Sequence, residues 1–133
     1  MIGLDTNVVI RYITQDDPQQ SAEAEKFIEQ NCTVEEPGYI NYMVLCEMVW
    51  VLKGAYGYDK NIIIGVLENL IQTAEIMVEN SEVVWMALEA FKTGPADFSD
   101  YLIACFNKQA GCHYTATFDQ DAGEFNLFRK LKV

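Results

Sequence analysis

The sequence has little positive charge, a single histidine and no long apolar run. Nine lysines and arginines stand against twenty aspartates and glutamates, which gives a formal net charge of −11. Proteins that attract nucleic acid by simple electrostatics neutralise phosphates with Lys and Arg, so this balance argues against that class. No apolar run reaches the ~20 residues that a membrane span requires. No secretory signal is apparent either, so we expect a cytoplasmic protein without a membrane segment.

Cysteine is present but is not arranged for cross-linking or zinc. Cys32, Cys46, Cys105 and Cys112 form no Cys-x-x-Cys pair. Cys46 and Cys105 lie in apolar segments and are predicted to be buried thiols. Because His113 is the only histidine, neither a disulfide framework nor a zinc site is expected.

Apolar residues are abundant, and they fall in segments of alternating type. Hydrophobic residues make up 50% of the 133 residues, enough for one core, so we predict a single domain over residues 1–133. Short strands are predicted at 1–4, 39–40, 74–78, 112–118 and within 127–133, and helices at 6–14, 17–31, 41–55, 60–71, 81–93 and 97–110. This alternation predicts an α/β fold with a parallel sheet and helices on both faces.

Two aspartates follow predicted strands directly. Asp5 comes after Ile2-Gly3-Leu4, and Asp119 comes after the strand that ends near Phe118. In parallel sheets ligands bind beyond the carboxyl ends of the strands, so both side chains are candidates for a site at that edge. Each also has a simpler interpretation as a helix N-cap, a common role for Asp.

Glu47 lies in the middle of an apolar helical run, Val44 to Leu52. No lysine or arginine occurs three or four residues away on either side. An ionised carboxylate taken from water without a partner costs several kcal/mol, so a cation, a metal or access to water must compensate it. The other acids favour a metal. The alternative is a lone carboxylate that reaches past the helix to water or to a distant lysine.

Asp97 and Asp100 are three residues apart at the start of a predicted helix, which places them on one side of its first turn. Asp97 is a candidate N-cap, and the helix dipole would favour Asp100 by ~0.3–1 kcal/mol. The apolar residues that follow Asp100 indicate a largely buried helix. The helix dipole alone does not explain why such a helix carries a carboxylate. Four or five such acids supply enough charge for one or two Mg²⁺ or Mn²⁺ ions, and phosphodiester cleavage is the chemistry that such ions serve best.

These motifs occur in a characteristic order along nearly the whole chain. They are Ile2-Gly3-Leu4-Asp5-Thr6-Asn7, the helical Glu47, Asp100-x-x-Ile103-Ala104 and Thr117-x-Asp119. In this order and spacing the chain resembles the PIN-domain family. Its length and the stretch from Asp5 to Tyr12 look most like the VapC toxins of type II toxin–antitoxin systems.

The resemblance implies a fold and an activity. The fold would be a three-layer α/β/α sandwich with a parallel sheet of about five short strands. The activity would be that of a Mg²⁺- or Mn²⁺-dependent endoribonuclease in which a metal-activated water cleaves RNA. The protein would form a homodimer and would be inhibited by a cognate antitoxin with a basic C-terminal segment.

The resemblance also assigns roles to particular residues. The catalytic and metal-binding acids would be Asp5, Glu47, Asp100 and Asp119, with Asp97 as a further candidate ligand. Three polar residues would orient the carboxylates through hydrogen bonds, namely Thr6, Asn7 and Thr117. Arg11 and Lys53 are candidates for contacts to RNA phosphates, and each is equally well interpreted as an ordinary surface cation.

Two other functions compete with the nuclease. A phosphoacceptor domain would need a nucleophilic Asp with a nearby lysine and an early pair of acids, whereas residue 7 is Asn and Glu47 lies on a predicted helix. A catalytically weak or inactive PIN-like module could instead use its acidic pocket to bind a basic partner peptide. The sequence alone leaves that second alternative open.

Overall fold

A computed structural model describes all residues from Met1 to Val133. It contains six α-helices and five β-strands, and every strand pairing is parallel. The predicted α/β class is therefore confirmed. The chain divides into two compact units, Met1–Glu79 and Asn80–Val133, called unit 1 and unit 2 below. None of the helices has the length and apolar character needed to cross a membrane.

Unit 1 contains three strands and four helices. In chain order they are β1 (Ile2–Gly3), α1 (Thr6–Thr14), α2 (Pro18–Asn31), β2 (Gly38–Ile40), α3 (Tyr42–Gly54), α4 (Lys60–Gln72) and β3 (Ile76–Val78). The strands form one parallel sheet in the order β1-β2-β3, with Gly38 opposite both Ile2 and Ile76. A Cβ at Gly38 would lie 2.8 Å from Leu4 Cδ1 and 3.1 Å from Cys32 Sγ, so a larger residue in the central strand would force these side chains to shift.

Local signals account for where the helices of unit 1 begin. The side chain of Asp17 accepts a hydrogen bond from the Gln20 backbone N–H, and Pro18 occupies the first helical position. Asn41 and Asp59 cap α3 and α4 in the same way. The core of this unit consists of fully buried aliphatic side chains, including Ile40, Leu45, Met48, Leu52, Ile63 and Leu67. Helix starts were thus predictable from residue type and position.

Unit 2 contains two helices and two strands. They are α5 (Ser81–Thr93), α6 (Phe98–Gln109), β4 (Thr115–Thr117) and β5 (Phe128–Lys130), with a single 3₁₀ turn at Ala122–Glu124. Tyr101 is 1% exposed, and its ring packs edge-on against Phe125 at 5.1 Å between centroids. Its hydroxyl accepts a hydrogen bond from the Ala96 backbone N–H at 3.2 Å. Tyr101 therefore ties the loop before α6 to the core.

The strand predicted at 112–118 is shorter in the structure. The backbone N–H of Cys112 bonds the Asn107 carbonyl at 2.9 Å, and Gly111 has a positive φ of 103°. This is the pattern of a helix C-terminus closed by a glycine, so Cys112 bonds back to α6 and does not extend β4. β4 begins at Thr115 and pairs in parallel with β5, with Ala116 opposite Arg129. The five strands thus pair as one sheet of three and one of two.

The four cysteines are all free thiols. Cys105 is buried, as predicted, and so is Cys32, whereas Cys46 is half-buried and not buried as predicted. Burial raises the pKa of all three thiols above the ordinary value. They are therefore packing residues, and they are poor nucleophiles at neutral pH.

Candidate functional site

Asp5 stands at the junction of β1 and α1. Its backbone is extended, as at an N-cap, but its side chain makes no capping hydrogen bond. The residue is exposed. The N-cap interpretation therefore explains its backbone but not its carboxylate, whose oxygens remain available for another ligand.

Thr6 connects the start of α1 to the middle of α3. It is 7% exposed, and its hydroxyl donates a hydrogen bond of 3.2 Å to Oε1 of Glu47. Because Thr6 is held by the packing of α1, this bond restricts the orientation of the carboxylate. The second oxygen of Glu47 is left for a ligand.

Glu47 itself is exposed, so of the compensations that the sequence left open, access to water is available to its carboxylate. Met43 and Trp50, on the same side of α3, are 62% and 79% exposed, while Leu45 and Met48 are fully buried on the other side. The apolar run in the sequence therefore covers both the packed and the open face of the helix. Because water can solvate Glu47, its carboxylate does not require a metal to compensate its charge.

Asp97 and Asp100 form the start of α6 in unit 2. Asp97 is the N-cap residue, and Oδ2 of Asp100 accepts a hydrogen bond from the Asp97 backbone N–H at 3.2 Å. This reciprocal arrangement is a capping box, which satisfies amide groups that the first helical turn leaves open. Both residues thus have a structural role that the sequence had suggested only for Asp97.

The pKa of Asp100 is raised above its ordinary value. Partial burial is the main cause, and the negative charges of Asp119 and Asp97 raise it further, while the hydrogen bond from Asp97 acts in the opposite direction. Like charges that share a site resist joint ionisation. A bound cation would therefore favour the charged form of Asp100.

Asp119 lies between β4 and the 3₁₀ turn at Ala122–Glu124. Its Oδ1 accepts a hydrogen bond from the Ala122 backbone N–H at 2.8 Å, and its own N–H donates to the Thr117 hydroxyl at 3.0 Å. Thr117 thus positions the backbone of Asp119, not the carboxylate that we expected it to orient. The capping interpretation accounts for one oxygen of Asp119, and its charge still acts on Asp100.

The other predicted residues lie in varied surroundings. Asn7 is exposed on α1, and Lys53 lies in the last turn of α3, where a cation complements the helix dipole. Arg11 donates from Nε to Gln20 at 2.7 Å, and from Nη1 to Asp16 at 3.2 Å and to the Tyr56 hydroxyl at 3.0 Å. These three contacts engage two nitrogen atoms of Arg11 within the protein, so Arg11 is a weaker candidate for binding an RNA phosphate.

Oxygen donors are the ligands that Mg²⁺ and Mn²⁺ prefer, so the chemistry of the predicted acids suits these ions. The structure contains no group of three or more His, Cys, Asp or Glu side chains placed to hold a metal ion. The acids therefore fit the cation by donor type, while their placement alone does not define a coordination shell.

A protein-family model described as PIN domain matches residues 2–127. The chain belongs to the PIN-domain family. PIN domains are generally metal-dependent nucleases, and all five predicted acids fall within the matched residues. Neither the curated proteins nor the solved structures give a match. The closer resemblance to VapC toxins stays a prediction.

The sequence did not reveal two groups of contacts in this PIN domain. The partners of Arg11 include Tyr56, which is 45 residues away and carries no motif. In unit 2 the Arg129 guanidinium lies 3.8 Å from the centre of the Tyr114 ring. A signal for the second group was present, because three of the nine cations fall within residues 129–132.

Proposed function

We propose that this PIN-domain protein is a Mg²⁺- or Mn²⁺-dependent endoribonuclease whose reactive acids are Asp5, Glu47, Asp100 and Asp119. The observation that carries the proposal is the half-buried Asp100 carboxyl, whose pKa the charges of Asp119 and Asp97 help to raise. No lysine or arginine is among the causes of that shift. A divalent cation would relieve this repulsion, which is the property expected of a metal-dependent nuclease.

The chain's own groups divide the work as follows. Asp100 and Asp119 offer carboxylate oxygens in unit 2, where backbone hydrogen bonds hold both. Asp5 offers a carboxylate that its helix does not use, and Thr6 restricts the rotation of Glu47. When bound, the metal would lower the pKa of a water and neutralise charge at the phosphate. Asp97 would act through its capping contact with Asp100.

Cleavage of a labelled RNA by the purified protein tests this proposal. Asp5→Asn and Asp100→Asn should each lower the rate by more than about 100-fold with Mg²⁺ or Mn²⁺, because removing even an outer-shell partner of a metal ligand costs 10–100-fold. Asp59→Asn is the matched control, since Asn caps α4 as well as Asp does. Full activity in either site variant would refute the assignment.

We further propose that the protein is the toxin of a toxin–antitoxin pair, acts as a homodimer in the cytoplasm, and is blocked by a basic antitoxin segment. The stretch from Asp5 to Tyr12 resembles VapC toxins, which supports this role. A net charge of −11 suits a basic partner. The exposed Met43 and Trp50 offer apolar surface for contact with another chain.

Expression in bacteria tests the biological role. We expect a small open reading frame that encodes a protein with a basic C-terminal segment to adjoin the gene. Growth should stop when the chain is produced alone and recover when that protein is co-expressed. Asp100→Asn should abolish the arrest. Sedimentation of the purified chain reports whether it forms a dimer. Unimpaired growth at a high level of folded protein would exclude a toxin.

One observation favours an alternative, namely a module that binds a basic peptide without catalysis. The acids do not form a group that could hold a metal, and Glu47 and Asp5 are open to solvent. Under this alternative a basic peptide binds while millimolar Mn²⁺ does not. Calorimetric titration with Mn²⁺, followed by titration with a basic peptide, separates the two functions.

A further inference from the structure

Two side-chain contacts join α1 to α3 and to the turn that follows it. Near the start of α1, the Thr6 hydroxyl donates to Oε1 of Glu47 at 3.2 Å. Further along α1, Nη1 of Arg11 donates to the Tyr56 hydroxyl at 3.0 Å. From residue 6 to residue 11, a rise of about 1.5 Å per residue separates the two contacts by about 7.5 Å along the helix. Two separate points of attachment restrict a rotation of α1 against α3 that a single point would allow.

The position of Tyr56 is tied to the end of α3. Its backbone N–H bonds the Val51 carbonyl at 3.3 Å, and the N–H of Tyr58 bonds the Leu52 carbonyl at 3.0 Å. Gly57, between the two tyrosines, has a positive φ of 66°, which lets the chain turn back against the helix. The two tyrosine rings lie 5.9 Å apart between centroids. The Tyr56 hydroxyl therefore moves with α3.

The Arg11 guanidinium is held by α2 and by the turn before it as well. Its Nε donates to Gln20 at 2.7 Å, and its Nη1 lies 3.2 Å from Oδ1 of Asp16, which also accepts from the Thr14 hydroxyl at 2.7 Å. The pKa of Asp16 is lowered, first by the hydrogen bond from Thr14 and next by one from Tyr56. Arg11, Asp16 and Tyr56 thus form a network in which each side chain contacts the other two.

Apolar packing alone does not select the orientation of α1. The helix is anchored in the core by Val9 and Ile10, which are 1% and 2% exposed. The hydrophobic effect is non-directional, so it resists separation of the helix from the core more than it resists rotation. Hydrogen bonds are directional, and the bond of 3.2 Å from Thr6 to Glu47 is already longer than the ~2.7–2.8 Å typical of hydroxyl donors. A small rotation of α1 would therefore break it.

We propose that Arg11 and Tyr56 are positioning residues for Glu47. The bond between them, called here the Arg11–Tyr56 brace, keeps α1 in the orientation at which the Thr6 hydroxyl reaches the Glu47 carboxylate. Glu47 is exposed, and Thr6 supplies the hydrogen bond described for its carboxylate, so its orientation depends on Thr6. Neither residue of the brace contacts RNA or metal in this role. The expected effect on cleavage rests on the proposed function.

Steady-state cleavage of a labelled RNA separates positioning from substrate binding. Tyr56→Phe removes the hydroxyl and keeps the ring, so kcat should fall up to about tenfold with KM unchanged, the lower end of the effect of losing an outer-shell group. Arg11→Gln should give the same result, and it is the second variant if Tyr56→Phe does not fold. Tyr58→Phe is the matched control, because it removes a nearby tyrosine hydroxyl that makes no hydrogen bond. Its kcat should equal that of the wild type.

A double-variant cycle separates positioning from a general loss of stability. Thr6→Val removes the hydroxyl through which the brace acts, so adding Tyr56→Phe to it should lower kcat no further. If the two changes instead multiply, the brace does not act through Thr6 and the proposal is wrong. A raised KM with unchanged kcat in Arg11→Gln would show that Arg11 binds an RNA phosphate, which also overturns it. Thermal melting checks that each variant is folded at the assay temperature.

Nuclear magnetic resonance without RNA or metal tests the brace independently of the proposed nuclease. Three-bond couplings report the χ1 rotamers of Glu47, which should show one dominant state in the wild type and in Tyr58→Phe. Tyr56→Phe and Thr6→Val should both give averaged couplings. That result without RNA cleavage by the wild type supports the brace and refutes the nuclease. Wild-type couplings and a wild-type kcat in Tyr56→Phe, with averaged couplings in Thr6→Val, refute the brace while the nuclease stands.

Discussion

The acids of unit 1 and those of unit 2 differ in their exposure to water and in the groups that surround them. Asp5 and Glu47 are exposed, and the only hydrogen bond described for either carboxylate comes from Thr6. Asp100 is half-buried at a helix start, within the electrostatic reach of Asp97 and Asp119. In unit 2, partial burial and the charges of Asp119 and Asp97 disfavour the ionised form of Asp100, whereas unit 1 contributes carboxylates that are open to water. Loss of Asp100 should therefore lower the affinity for a divalent cation more than loss of Glu47.

Metal titration of variants gives the largest expected difference between the two groups. Asp100→Asn should lower Mn²⁺ affinity more than about 100-fold, because the relief of its repulsion would be lost, whereas Glu47→Gln should lower it only about tenfold. Calorimetry at neutral pH measures both. A greater loss in Glu47→Gln than in Asp100→Asn would show that the open acid is the principal ligand and would reverse the comparison.

The loop that leads into the unit 2 acids should tolerate little change. A Cβ at Gly94 would fall 1.8 Å from the Tyr101 hydroxyl, which is buried, so Gly94→Ala should lower the free energy of unfolding by about 1–3 kcal/mol. In unit 1, Gly65 lies within α4 with nothing within 4 Å of an added Cβ. Gly65→Ala should raise the free energy of unfolding by about 0.5–1 kcal/mol. Urea denaturation of both variants tests the pair, and an equal effect would contradict the difference in packing.

Local features of the fold were predictable from the sequence because their causes are local. Asp17 followed by Pro18 marked the start of α2, and Asp59 marked the start of α4. Capping depends on residues within one helical turn, so residue type and spacing suffice. The late start of β4 is not predictable in this way, because the Cys112 N–H bonds back to the Asn107 carbonyl of α6 after the positive φ of Gly111.

Features that depend on distant residues were not predictable. The sequence leaves open whether water reaches Glu47, because which face of α3 is exposed depends on the rest of unit 1. The bond from Arg11 to Tyr56 joins residues 45 apart, so no local pattern indicates it. The acids themselves were found by their position after strands and by resemblance, and the raised pKa of Asp100 needed the structure.

Thr6 offers a smaller test on the unit 1 side. Thr6→Val removes the hydroxyl that bonds Glu47 and keeps a similar volume, so RNA cleavage should fall up to about tenfold while the free energy of unfolding changes by about 1 kcal/mol or less. Thr6→Ser should restore the hydrogen bond and the rate. If Thr6→Ser is as impaired as Thr6→Val, the hydroxyl does not position Glu47 and the loss comes from packing.

The pH dependence of stability gives the smallest expected effect, and the raised pKa of Asp100 determines its direction. Because the folded-state pKa of Asp100 is raised, ionisation of this group opposes folding, and its cost appears as pH rises through the usual Asp range and the raised pKa. Asp100→Asn removes that cost and keeps an oxygen to accept the Asp97 N–H. Its Tm should exceed that of the wild type at pH 7, and the difference should vanish below about pH 4, the ordinary pKa of Asp.

Glu47→Gln is the matched control, because it removes a carboxylate that is exposed to water, and its Tm should follow the wild type more closely across the range. A lower Tm for Asp100→Asn at pH 7 would mean that the ionised carboxylate stabilises α6 more than its neighbours repel it, so a cation would have no repulsion to relieve in unit 2.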